Sequence, residues 1–160
     1  MIKDQPSKKI KTGQKRQKSG IHYLLAGETL KTARNMSDHY LEAIYAMAYG
    51  HFSAGHYQDA LNAFRYLSLL DHQRYLYLLG FGATLKEVAQ YTQAIEVLKY
   101  ANTRDKTDPR ASVCMTCCLI ALGREEEAKK ALQDARGRGV KNDKWHELHP
   151  QVKQMDVLLA

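Results

Sequence analysis

Three cysteines crowded into five positions, Cys114-Met-Thr-Cys117-Cys118, are the densest group of reactive side chains in the 160-residue sequence. A C-x-x-C pair can begin a zinc site, but such a site needs a second ligand pair at suitable spacing, and none follows. An odd number of cysteines this close together is no disulfide framework either. The run falls inside a helical pattern with Cys118 at a small-residue packing position, so packing is preferred to metal or redox work. His146-Glu-Leu-His149 spaces its histidines by three, not by the i, i+4 separation of a zinc-protease helix. His51 and His56 flank Gly55 and read as partly exposed turn residues. Glu125-Glu-Glu127 suits the start of a helix, where acidic side chains complement the dipole. Gly137-Arg-Gly139 reads as a flexible helix exit, and no G-x-x-x-x-G-K-[ST] phosphate loop occurs. No nucleophile and base assemble, so neither an enzyme nor a cofactor or metal site is expected.

Binding chemistry is better represented. Tyr45, Tyr49 and Phe52 stand at i, i+4 and i+7, on a different stripe from Ile44, Met47 and Ala48, which read as the packing face. A helix apolar on two faces must be covered on both. Either the segment before residue 41 folds back over the aromatics, or they line a groove for a peptide. The groove is the preferred reading, because tyrosine and phenylalanine are common interface anchors.

Those residues sit in a sequence that repeats. The blocks 41–74, 75–108 and 109–142 have equal length, with Ala60, Ala94 and Ala128 in register at 34-residue spacing. Tyr57 matches Tyr91, Asp71 matches Asp105, and Gly55 lies two periods before Gly123. Each block reads as two antiparallel helices. The alanine marks where the second helix crosses the first, and Ala48, Gly82 and Thr116 are the small partners on the first helix. Phe64, Leu98 and Leu132, four residues after each alanine, share its face and fill the core. Gly55 and Gly123 suit left-handed helix caps, with Ala89 a weaker stop between them. The period resembles the tetratricopeptide repeat. Ile44, Leu78 and Ser112 replace its tryptophan, His72 and Lys106 replace its closing proline, and Pro109 opens the third block. The expected fold is therefore all-α: a tetratricopeptide-repeat α-solenoid of three helix pairs.

A solenoid needs covers at its ends. Ile21–Arg34, with Tyr23, Leu24, Leu25 and Leu30, predicts an N-terminal helix that caps the first repeat or pairs with a second copy. Segment 143–160 predicts a C-terminal cap on Trp145, Leu148, Val152 and Met155, kinked or restarted at Pro150. In register with the aromatic stripe, Leu76, Leu79, Ala83 and Lys86 continue the groove in repeat two, and Val113, Cys117 and Ile120 in repeat three. One charge among mainly apolar side chains suits an extended apolar segment rather than a terminal carboxylate.

The chain carries a formal net charge of +7. Lys3, Lys8, Lys9, Lys11, Lys15, Arg16 and Lys18 against Asp4 concentrate nearly all of it in residues 1–20. This tail reads as a disordered solubilising arm, with the repeat domain spanning 21–160. The alternative is a regulatory or scaffold repeat protein whose tail contacts nucleic acid, but no aromatics are interleaved with the lysines, so nucleic acid is not expected. Neither a secretory h-region nor a run of about 20 apolar residues occurs, so no membrane association is expected and the cytoplasm is the expected location.

The stretch from Gly27 to Tyr49, with its Leu41-Glu-Ala-Ile-Tyr45 core, resembles the class II chaperones of bacterial type III secretion. The likeness continues through Gly55-His-Tyr-Gln-Asp-Ala60, Phe64-Arg-Tyr-Leu-Ser-Leu-Leu-Asp-His72, Leu79-Gly-Phe-Gly-Ala83, Asp108-Pro-Arg110 and Cys118-Leu-Ile-Ala-Leu-Gly123. The resemblance implies a bacterial cytoplasmic chaperone that keeps hydrophobic translocator proteins soluble before export. It further implies a client segment of Pro-x-Leu-x-x-Pro type in the concave groove, and a homodimer through the N-terminal helix.

Overall fold

The structure, a computed structural model, describes residues 27–139 and 143–160. The basic tail, Tyr23, Leu24 and Leu25 lie outside the described residues. Among the described residues every regular element is helical. A single turn, α1 (Leu30–Ala33), precedes three antiparallel pairs: α2 (Asp38–Ser53) with α3 (Tyr57–Leu70), α4 (Tyr75–Glu87) with α5 (Tyr91–Arg104), and α6 (Arg110–Ala121) with α7 (Glu125–Gly137). A 3₁₀ segment (Asp143–Leu148) then leads into α8 (His149–Leu158). None of these helices is long and apolar enough to cross a membrane.

The expected register is present in the packing. Ala60, Ala94 and Ala128 are fully buried, as are Ala48 and Thr116 opposite them. At Gly82 a β-carbon would come within 2.6 Å of the Leu98 side chain, so the helices approach closely there because glycine leaves room.

The turn closing each first helix repeats at the level of single hydrogen bonds. Gly55, Ala89 and Gly123 all adopt left-handed backbone, with φ of +78°, +58° and +68°. Beside them the N–H groups of His56, Gln90 and Arg124 donate to the carbonyls of His51, Leu85 and Leu119, each at 2.9 Å. This is the bond pattern of a glycine-capped helix end. Ala89 adopts the same conformation at a cost of about 1–2 kcal/mol that glycine avoids. Ala89→Gly is therefore expected to raise stability by up to about 1 kcal/mol, the gain being trimmed by the greater freedom of glycine in the unfolded chain. Urea unfolding of the two proteins measures it; a lower midpoint for the glycine variant would contradict this account.

The ends depart from expectation in two places. Of the predicted helix 21–34, the described part is only the turn α1, capped by Thr29, whose hydroxyl accepts from the Thr32 N–H. Met47, read as a packing residue, is 52% exposed. It lies at the N-terminal edge of the solenoid, where none of the described elements supplies a preceding layer. Tyr40, Tyr66 and Leu69 are exposed as well. At the other end, Pro150 restarts the chain in the first turn of α8, and Trp145, Val152 and Met155 are buried.

Candidate functional site

Between α2 and α4 lies a hollow of about 130 Å³ lined by Tyr45, Tyr49, Phe52, Phe64, Leu76, Leu79, Gly80, Ala83 and Arg110. Six of the ten sequence-predicted groove residues thus meet at one place. Helix α2 supplies the three aromatics from one stripe, and α4 supplies the aliphatic wall from the same register one repeat later.

The floor is Phe64 of α3, 2% exposed, which reaches up between the two first helices. Gly80 admits it: a β-carbon there would come within 2.3 Å of the Phe64 ring. Tyr45 meets Phe64 edge-on at 5.9 Å and Tyr77 at 5.7 Å. Tyr49 lies along Tyr45 at 6.5 Å with the rings 23° apart. Phe52 packs edge-on to Tyr57 at 5.6 Å. Burial pushes the Tyr45 and Tyr77 phenols above their ordinary pKa, so both stay neutral. Tyr49, by contrast, is 59% exposed although it lies against a ring that is half-buried. An exposed aromatic beside an apolar hollow has area still to bury.

The remaining predicted positions separate. Lys86 is half-buried and ion-paired to Glu87 at 2.7 Å. Burial works against its charge, yet the hydrogen bond to Glu87 holds its pKa above the ordinary value. Cys117 and Ile120 line a second hollow with Gln151, Gln154 and Met155 of the C-terminal helix. Val113 is a correction: at 2% exposure it belongs to the core cluster with Val152 and Met155, because α8 packs on α6 as a further layer. Burial also pushes the Cys117 thiol up, as expected of a packing residue.

Arg110 was not among the predicted groove residues. Its signal was present, since it stands one repeat after Leu76. Its Nε lies 3.1 and 3.0 Å from the two Asp108 carboxylate oxygens and its Nη2 donates at 2.6 Å, which holds its pKa up. Its guanidinium also lies 5.3 Å from the Trp145 ring centroid. One side chain therefore joins the hollow to the C-terminal cap.

The tetratricopeptide-repeat family matches residues 87–151. Low calcium response locus protein H of Yersinia pestis is 30% identical over 133 residues, 83% of this chain and 79% of that protein. Among solved structures, the Yersinia enterocolitica type III secretion chaperone SycD, in complex with a peptide of the translocator YopD, superimposes with a TM-score of 0.72. It is 30% identical and covers 77% of this chain and 95% of that one. PcrH in complex with the chaperone-binding region of PopD gives 0.70 at 27% identity, covering 78% and 91%. The 34-residue register, the helix pairs and this shared sequence agree, and the chain belongs to the class II translocator chaperones of type III secretion, a tetratricopeptide-repeat family.

Proposed function

We propose that this protein is a bacterial cytoplasmic chaperone that holds an extended segment of a hydrophobic type III translocator in the trough between α2 and α4. The observation that carries the reading is the half-covered aromatic wall of Tyr45, Tyr49 and Phe52 facing Leu76, Leu79 and Ala83 across one hollow. The trough is short and apolar, so it accepts one or two apolar side chains of an extended chain. Lys86, Cys117 and Ile120 extend the same face towards the C-terminal helix. The complexes of SycD with a YopD peptide and of PcrH with part of PopD support this class of client. The protein acts by binding, not catalysis, and the exposed edge of Tyr40, Met47, Tyr66 and Leu69 is our candidate surface for a second copy.

Co-expression with the translocators of the same cell tests the reading. The translocator is expected in the soluble fraction with this chain and in the pellet without it. A synthetic Pro-x-Leu-x-x-Pro segment of that translocator is expected to displace it. A translocator equally soluble alone, or one the peptide leaves bound, would remove the basis for the proposal.

A further inference from the structure

The three turns that close the first helices share one backbone but differ in the side chains they present. The bond of 2.9 Å that joins residues five apart links His56 to His51 in repeat one, Gln90 to Leu85 in repeat two and Arg124 to Leu119 in repeat three. Only in repeat one do imidazoles stand at both ends of that bond. Asp59, in the first turn of α3, completes a group. One ring nitrogen from each histidine and one Asp59 carboxylate oxygen all lie within 4.8 Å of one another.

We propose that His51, His56 and Asp59 form a binding site for a divalent transition-metal ion of the zinc class. Two imidazoles are borderline nitrogen donors that, joined by one carboxylate, suit zinc, cobalt or nickel. Magnesium and calcium prefer oxygen ligands throughout. Three protein donors leave a fourth position for water or another ligand. A tetrahedral zinc with bonds of about 2.0–2.2 Å holds its donors roughly 3.5 Å apart. The group must therefore close by about 1 Å, which rotation of the side chains supplies.

Little opposes that closure. His56 and Asp59 are exposed and His51 is half-buried, so an ion can reach all three. The His51 and His56 rings already lie 6.1 Å apart, centroid to centroid. His56 occupies the N-cap position of α3 without a side-chain capping bond. Asp59 forms no ion pair among the described residues. The hydrogen-bonded turn fixes both histidine backbones before any ion arrives, which lowers the ordering cost of binding. Phe52, next to His51, packs on Tyr57, next to His56. An ion at this site would thus fasten the end of the trough that carries Phe52.

Titration of the full chain with cobalt and with zinc tests the proposal independently of any client. The expected result is one equivalent of cobalt per chain, with ligand-field absorption and no sulfur-to-cobalt charge-transfer band. Zinc is expected to raise the melting temperature and magnesium to leave it unchanged. In His51→Gln/His56→Gln the affinity should fall at least a hundredfold with unchanged circular dichroism, and in Asp59→Asn by a smaller factor. Equal affinity in the double variant, a charge-transfer band assigning the metal to the cysteines, or failure to take up one equivalent would each overturn the site.

Discussion

Replacing Tyr49 and Phe52 together by alanine is expected to abolish co-purification of the translocator while leaving the helical circular dichroism essentially unchanged. Central aromatic anchors contribute about 2 kcal/mol or more each to binding. Loss of both corresponds to roughly a several-hundredfold fall in affinity, at about 1.4 kcal/mol per factor of ten. The folding cost is smaller. Tyr49 is 59% exposed, so truncating it uncovers little. Phe52 gives up its edge contact with Tyr57, but the layer beneath, Ala48 and Phe64, stays intact. Tyr66→Ala, on the opposite edge of the same repeat, provides the comparison and should still bind the client. Stoichiometric co-purification with the double variant would show that the trough is not the binding surface.

The scaffold is expected to fail elsewhere, at a position no client touches. Ala94 is fully buried where α5 crosses α4, opposite the close approach of Gly82 to Leu98. Leucine adds three carbons where none fits, and overpacking of this kind costs about 1–3 kcal/mol. The middle repeat has neighbours on both sides, so strain there cannot be released outward as it can at an end. The upper part of that range is therefore expected, with a fall in melting temperature of roughly 10 °C for a domain of this size. A melt indistinguishable from that of the parent would contradict the packing role given to the registered alanines.

The contrast between the two variants shows what the sequence makes legible. Scaffold positions obey a period, and the period is visible without coordinates: Ala60, Ala94 and Ala128 are each fully buried. Six trough residues were found by the same logic, because a stripe that exceeds the packing need must face something else. Where it failed, the missing information was about neighbours. Val113 has the register of Leu79, but it is buried in one cluster with Val152 and Met155; the helical spacing of 143–160 predicts a cap without saying which positions of α6 it closes. Met47 shares the packing stripe of Ile44 and Ala48 in the sequence, yet it is exposed, because none of the described elements supplies a layer at this edge. Ala89 is the converse case. Its side chain argues against a left-handed turn, yet the bond from Gln90 to Leu85 imposes the geometry of its glycine counterparts. The capping bond and the helix pairing it permits outweigh about 1–2 kcal/mol of local preference. Arg110 is missed because the groove in repeat three is drawn from the successors of Leu79, Ala83 and Lys86 alone, although Arg110 follows Leu76 by one repeat.

The buried side chains of the described residues form two clusters rather than one. Leu41, Ala48, Ala60, Phe64, Leu67, Leu70 and Tyr77 make the smaller. The larger runs from Leu61 and Leu78 through repeats two and three to Leu159. Phe81 touches both. The trough straddles the boundary, with Tyr45, Phe52 and Phe64 on one side and Leu79 on the other. Solenoid layers hold only to their neighbours, so this boundary is the joint between repeats one and two. Leu61 of repeat one belongs to the larger cluster and Tyr77 of repeat two to the smaller, so each repeat is pinned to the other across the joint. A client segment seated in the proposed trough would touch both clusters at once and act as a splint across that joint.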